Sequence, residues 1–553
     1  MDYGKFVMTG LLKLIMEYQI FFLIFIVAFI PTTLGHKATI GKIVVDGTRK
    51  IAETDENFIC FTMDIWPHDE CSQPNLCAWD GHASMLNVDL SLPILNKAVQ
   101  GFRPLRIRVG GTLQDRLIYD VGEGFKGHCQ PFQADKDLLF DFSEGCLYME
   151  RWDDLNNFFN NTGAIVTFGL NALLGKHNTK GIQWEGDWNF TNAEALIKYT
   201  VDKNYQINSW EFGNELAGPN SIGASITASQ YAKDLMKLRK IVDRLYNNSQ
   251  QKPLIVAPGA FFDDKWYSEL VTKTGSNIVN ALTHHIYNMG AGDDPKLIYR
   301  FVNPTYLSQV SNTFKQLENI IEKHSPWASA WVGEAGGAYQ GGSPHISDAF
   351  INSFWYLDQL GMASLYNTKV YCRQTLIGGY YSVLKAKTLV PTPDYYGALL
   401  FHRLMGPSVL KVDNNVSSYL RTYAHCSRGG SGVTLLLINL SNTIEFTIKV
   451  ESHMNLSLHN SNLKRSKGSN LKLDPKVKDS NPTAQREEYH LTPEHGLVRS
   501  STVLLNGKRL ELTKEGDLPN LTPIYRESKT SINIANWSIA FIVIPDFVAV
   551  GCK

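Results

Sequence analysis

The chain has 553 residues, too many for one compact core, so two domains or a large barrel with an appendage are expected. Hydrophobic residues make up 44% and charged residues 19%, which excludes an intrinsically disordered chain. Lys+Arg and Asp+Glu both number 53, so bulk charge predicts no nucleic-acid partner, and any polyanion must bind a local patch.

Residues 1–35 read as a secretory signal. Lys5 and Lys13 precede the apolar run Ile20–Ile30, and Thr33-Leu34-Gly35 supplies small residues for cleavage. The run is short for a bilayer span. The alternative is an uncleaved type II signal anchor, and peripheral association with a membrane is kept open as a separate reading. Eight Asn-x-Ser/Thr sequons, at Asn160, Asn189, Asn247, Asn415, Asn439, Asn455, Asn520 and Asn536, fit an exported glycoprotein. The expected location is therefore extracellular, at the cell wall, or in a lysosome or vacuole, and the expected state is a monomer.

All eight cysteines follow the signal, and an oxidising compartment predicts disulfides. Spacing does not choose among about 105 pairings. Short loops favour Cys71–Cys77 and Cys129–Cys146, whereas Cys60 and Cys372 fall in apolar runs and are expected as free core thiols. No cysteine–histidine cluster has zinc spacing, so neither metal nor cofactor is expected.

A strand at Thr39–Val45, within a segment 36–50, precedes the main pattern and can cross to the C-terminal region. Eight apolar, β-branched runs then alternate with helix-capable segments: Phe58–Asp64, Pro104–Gly110, Ala164–Leu170, Ser209–Asn214, Pro253–Pro258, Ala281–Tyr287, Ala328–Glu334 and Thr368–Gln374. Helical patterns between them include Glu194–Val201, Ala228–Tyr246 and Tyr306–His324. Eight alternations predict an α/β chain with a (β/α)8 TIM barrel over 51–406. From 407 the pattern changes to strands joined by turns, at Tyr419–Ala424, Gly432–Leu440, Glu445–Val450, Val498–Leu505 and Ile539–Ile544. That predicts a flanking β-sandwich over 407–553, with a solvated basic insertion at about 457–488.

Two glutamates end strand-like runs roughly three βα units apart: Glu215 in Trp210-Glu211-Phe212-Gly213-Asn214-Glu215 and Glu334 in Trp331-Val332-Gly333-Glu334. Barrel enzymes place chemistry at that rim, and paired carboxylates across a cleft are what glycosidic hydrolysis requires. Glu215 is expected as acid/base and Glu334 as nucleophile, about 5–5.5 Å apart, with retention of anomeric configuration. Asn214 can donate to a sugar 2-OH, and Trp210 and Phe212 are expected to wall the Glu215 carboxyl in apolar surface. Arg108, near the end of the second run, is expected to pair with a rim carboxylate or to form a structural ion pair.

These segments, with Arg106-Ile107-Arg108-Val109-Gly110-Gly111, Thr283-His284-His285-Ile286-Tyr287, Asp394-Tyr395-Tyr396 and Arg486–Pro493, resemble plant heparanase-like proteins of glycoside hydrolase family 79 and, more distantly, animal heparanase. The resemblance runs from about residue 40 to the C-terminus. It implies a barrel flanked by a β-sandwich and cleavage of β-D-glucuronic acid linkages. It also implies that the substrate carboxylate is held by backbone amides of a glycine loop, here Gln340, Gly341 and Gly342, beside Tyr380 or Tyr381. Asp64, His284 and Tyr287 are the further substrate-contacting or orienting candidates, although Asp64 could equally cap a helix, and of the adjacent His284 and His285, which face opposite ways on a strand, one is expected to be packing. Unlike the animal precursor, Leu86–Gln100 runs directly into Pro104–Arg108, so a single mature chain is expected. The substrates implied are glucuronic acid-containing cell-wall or arabinogalactan glycans, heparan sulfate-like chains, or small glucuronides. The competing readings are a relative acting on neutral sugars and a non-catalytic glycan-binding surface protein.

Overall fold

The computed structural model describes residues 37–67, 83–453 and 484–553. The predicted signal, the Cys71–Cys77 pair, Asn455 and most of the basic insertion lie outside those residues.

Eight parallel strands close a barrel: Ile59–Asp64, Arg106–Gly110, Ile165–Leu170, Ser209–Phe212, Leu254–Phe261, Ala281–Ile286, Ser329–Ala335 and Thr368–Arg373. Each overlaps its predicted run. The last strand pairs with the first, Cys372 opposite Cys60, so the sheet has no edge. Side chains alternate, and the register places Cys60 beside Arg106, then Thr62 beside Arg108, on one face. The lower filling contains Cys60, Val256, Ala281, Trp331, Val370 and Cys372, with the Arg106 guanidinium 4.7 Å from the Trp331 ring. Gly169 leaves room for Gln114 to enter from above, since a Cβ there would lie 2.0 Å from its Oε1.

Cys60 and Cys372 are bonded to each other, not free. Their runs are apolar, as expected of core thiols, but they are neighbouring barrel strands at the closing seam, with Cα atoms 4.1 Å apart. Cys129–Cys146 pairs as expected, and Cys426 joins Cys552. Among the described cysteines none is free.

The outer helices include Thr191–Asp202, Ala228–Leu245 and Phe350–Leu365. The predicted Tyr306–His324 helix is two, Pro304–Ser308 and Ser311–His324; the first opens on an Asn303 cap and Pro304. Phe350–Ser364 is buried on every side because the helix lies between barrel and C-terminal sheet.

The C-terminal region is a sandwich whose two layers meet through Lys37–Asp46. That strand runs parallel to Ile444–Ser452 and antiparallel to Met405–Asn414. The strand Val433–Asn439 is buried on both faces, and five of its seven residues are apolar. Leu435 and Leu437 enter the sandwich core, while Leu436 and Ile438 join the core shared with the barrel. The Arg421 guanidinium and Tyr423 hydroxyl both donate to Asp358 of the intervening helix, locking the two units together.

Two expectations need correction here. The insertion does not extend to 488: Gln485–Pro493 is a strand, and Arg486 donates to Glu488 at 2.7 Å in buried surroundings. Paired charges let a polar stretch occupy a sheet. Asn439 is no glycosylation site in the folded chain, because its fully buried amide donates to the Ile444 and Ala535 carbonyls. Asn160, Asn189, Asn247, Asn415 and Asn520 are exposed, and Asn536 is half-buried. Asp394-Tyr395-Tyr396 is architectural: Asp394 accepts from Asn352, Ser353 and Arg373, and the Tyr395 hydroxyl donates to the Ala98 carbonyl.

Candidate active site

The fourth strand ends at Phe212, and the chain then turns so that Asn214 and Glu215 project over the rim. Glu215 has a left-handed backbone at φ 56°, a conformation usually left to glycine. Its amide is tied to the Gly259 carbonyl at 2.7 Å, and the Asn214 amide to Asp115 Oδ2 at 2.7 Å. Asp115 also accepts from the Ala172 amide, so one buried carboxylate pins the ends of two strands.

Arg108 rises from the second strand into the middle of the barrel mouth. Its Nε donates to Glu211 at 2.6 Å, Nη1 to Glu334 Oε2 at 2.7 Å and Nη2 to Asn214 Oδ1 at 2.8 Å. Tyr287 donates its hydroxyl to the other Glu334 oxygen, so both oxygens of that carboxylate are acceptors. His285 Nδ1 lies 2.9 Å from Glu215 Oε1. One oxygen each of Glu215 and Glu334 and a nitrogen of His285 lie within 4.8 Å of one another.

Burial pushes the Glu215 carboxyl up to about 7, against the pull of Arg108. It pushes His285 down to about 3, so the imidazole is neutral. Asp64 is raised to about 8, first by burial and then by the nearby Glu334 charge. Glu215, His285 and Glu334 are also close enough together to ligate a metal. The Arg108 guanidinium on Glu334 already supplies positive charge there, which disfavours a second cation. A second cluster, Asp120 with Cys129 and Cys146, offers no thiolates, because its cysteines form a disulfide.

The structure brings most of the predicted residues together. Asp64 Oδ2 accepts from Gln374 at 2.9 Å, while its buried Oδ1 has no partner. Gly336 lies against the Tyr287 and Tyr381 rings, where a Cβ would come within 2.4 and 3.1 Å of them. The following loop carries Gln340, Gly341 and Gly342 at φ 61°, 76° and 84°. None of their three amides donates to a described residue, and such a turn gathers successive N–H groups into an anion-binding nest. Of the two tyrosines, Tyr381 is buried on the site side against Gly342, and Tyr380 donates its amide to the Gly341 carbonyl.

Two predicted placements fail. His284 faces outward and packs on Phe314 with ring centroids 5.7 Å apart; His285 is the histidine in the site. Trp210 and Phe212 also face outward, against Phe168 and against Trp188 and Tyr231, because the intervening Glu211 points inward to Arg108. Glu211, Asp115 and His285 were not anticipated. Strict alternation from Trp210 would have exposed Glu211, whereas Asp115 carries no local signal.

A closed parallel barrel with two facing carboxylates at its carboxyl rim, Glu334 held by Arg108 and Glu215 by His285, is the arrangement of a barrel glycosidase. The chain belongs to glycosyl hydrolase family 79, whose N-terminal domain matches residues 40–361. It is 51% identical over 528 residues to heparanase-like protein 1 of Arabidopsis thaliana, covering 94% of this chain and 96% of that one. It is 38% identical to baicalin-β-D-glucuronidase of Scutellaria baicalensis over 537 residues, 95% of each chain. The fold is shared with a 4-O-α-L-rhamnosyl-β-D-glucuronidase from Fusarium oxysporum, with a TM-score of 0.61 at 15% identity, covering 92% of this chain and all of that one.

Proposed function

We propose that this glycosidase is a retaining β-glucuronidase, with Glu215 as acid/base and Glu334 as nucleophile. The carrying observation is the close approach of the two carboxylates, within 4.8 Å oxygen to oxygen. Retaining enzymes hold their two carboxyl groups ~5–5.5 Å apart and inverting enzymes ~6.5–9.5 Å apart, and a nearest approach of this kind supports the former. Arg108 and Tyr287 aim the Glu334 carboxylate, and attack on the anomeric carbon breaks the bond to the leaving oxygen as Glu215 protonates it. Esterification removes the Glu334 charge. Glu215, now ionised, takes a proton from the water that hydrolyses the ester. Neutral His285 can accept from or donate to Glu215, so their contact survives both protonation states.

The unused amides of Gln340, Gly341 and Gly342 beside Tyr381 support recognition of a sugar carboxylate. Asp64, with its bare oxygen, supports binding of sugar hydroxyls. The glucuronidases named among the relatives are consistent with this substrate class. Three disulfides and five exposed sequons among the described residues support an oxidising, exported setting. The test is hydrolysis of an aryl β-D-glucuronide against the matching β-D-glucoside. Turnover of the glucuronide alone, abolished by Glu334→Gln, is expected. Equal turnover of both sugars would remove the carboxylate nest, and turnover surviving Glu334→Gln would remove the nucleophile.

A further inference from the structure

The turn that carries Glu215 is held by its amides. Gly213 donates to the Leu170 carbonyl at 3.0 Å, Asn214 to Asp115 Oδ2 at 2.7 Å and Glu215 to the Gly259 carbonyl at 2.7 Å. The first and last acceptors are main-chain atoms of the flanking third and fifth barrel strands. The middle one is a side chain, delivered by the short helix Thr112–Arg116 that follows the second strand. Gly213 and Glu215 flank Asn214 with φ of 68° and 56°. Such left-handed backbone at a residue other than glycine persists only where its surroundings over-determine it.

The Asp115 carboxyl gives both oxygens to backbone. Oδ1 accepts from Ala172 at 2.7 Å, and Ala172 is where the turn rests, since a Cβ on Gly213 would lie 3.0 Å from the Ala172 methyl. The carboxyl is thus a clasp between the turn and its support. Burying it is costly: it is 2% exposed, and burial pushes it up to about 7 against the pull of the two amides. A neutral side chain would fill the place with less desolvation. What the clasp fixes is a side chain with one free end. Arg108 can only donate, so its 2.8 Å bond makes Asn214 Oδ1 the acceptor and leaves Nδ2 as the donor. A donor there can meet a sugar 2-hydroxyl, a bond that strengthens in the transition state.

We propose that Asp115 is a positioning residue for the reaction, aiming the Asn214 amide at the 2-hydroxyl of the sugar being cleaved. It acts through the turn rather than on the substrate, because backbone amides already engage both of its oxygens. The inference rests on the retaining reading, in which Asn214 and Glu215 serve one glycosidic bond, and adds to it a residue from a separate loop.

The test compares an aryl β-D-glucuronide with its 2-deoxy analogue, using the full chain and the variants Asp115→Asn, Asn214→Ala and both together. Asparagine at 115 keeps one acceptor and turns an N–H toward the other amide, so the clasp opens on one side. The quantity read is the ratio of kcat/KM for the two substrates. An aryl leaving group needs little protonation, so this ratio isolates the 2-hydroxyl contact from Glu215. It is expected to fall at least about tenfold in Asn214→Ala and severalfold in Asp115→Asn, with the double variant no lower than Asn214→Ala alone. A merely structural residue would slow both substrates alike and leave the ratio where it was, which overturns the inference. Asp115→Ser, whose cavity admits water, is the second variant should Asp115→Asn melt below the assay temperature. Loss of the fold in both would make Asp115 structural and overturn the inference too. A ratio moved by Asn214→Ala but not at 115 removes only the role of Asp115. A ratio unmoved by Asn214→Ala removes the 2-hydroxyl contact, and absence of turnover by the unmodified chain removes the glucuronidase reading; either takes the inference with it.

Discussion

At the scale of single residues, Arg108 concentrates the site's electrostatics. Three of its nitrogens serve Glu211, Glu334 and Asn214, a fork that a lysine ammonium cannot reproduce. Arg108→Ala leaves Glu211 buried beside a second carboxylate without compensation, and is expected to cost about 3–5 kcal/mol in urea unfolding along with most activity. Glu215→Gln removes proton donation and is expected to lower kcat by about 10²–10⁴-fold on a substrate with a poor leaving group. Because burial holds the Glu215 carboxyl up to about 7, kcat/KM should fall as pH rises through about 7, where the acid loses its proton. A pH profile flat to 9 would show that Glu215 is not the acid. Glu215, Glu334, Asn214 and Tyr287 were legible because each stands at or just past the end of an apolar run. The His284/His285 choice was not. The register between the sixth and seventh strands shifts between those two residues, and no sequence pattern announces a bulge.

At the scale of elements, the eight barrel strands could be read because buried parallel strands are almost wholly apolar. The sandwich was only partly legible. Met405–Asn414 and Gln485–Pro493 carry proline and charged residues, and they form strands because neighbouring sheets and internal ion pairs absorb those groups. The Cys60–Cys372 bond lay hidden for a related reason, since only barrel closure brings the first and last strands together. It closes a loop of 312 residues, so Cys60→Ala/Cys372→Ala is expected to cost about 2–5 kcal/mol. Denaturant unfolding would check this. No change in the midpoint would mean that strand pairing alone secures the seam.

At the scale of the whole molecule, buried ionisable groups set the pH range of stability. Burial raises Asp64 to about 8 and Asp115 and Glu215 to about 7, so the folded chain holds protons that the unfolded chain has released. Stability must therefore fall as pH rises from about 6.5 to 8. Burial lowers His284 and His285 to about 3 and His402 and His425 to about 4, so below about 6.5 the unfolded chain gains protons that the folded chain refuses. That opposes the carboxylates, and the melting temperature is expected to peak at mildly acidic pH. Scanning calorimetry from pH 4 to 8 would check this, and a melting temperature that rises steadily to pH 8 would contradict it.

The central claim is double displacement at a glucuronic acid linkage. The most direct measurement is proton NMR of the anomeric centre during the first minutes of aryl β-D-glucuronide hydrolysis, before mutarotation. The account predicts that β-glucuronic acid appears first and the α-anomer only later. Initial release of the α-anomer would contradict the carboxylate assignment, and no release at all would contradict the substrate class.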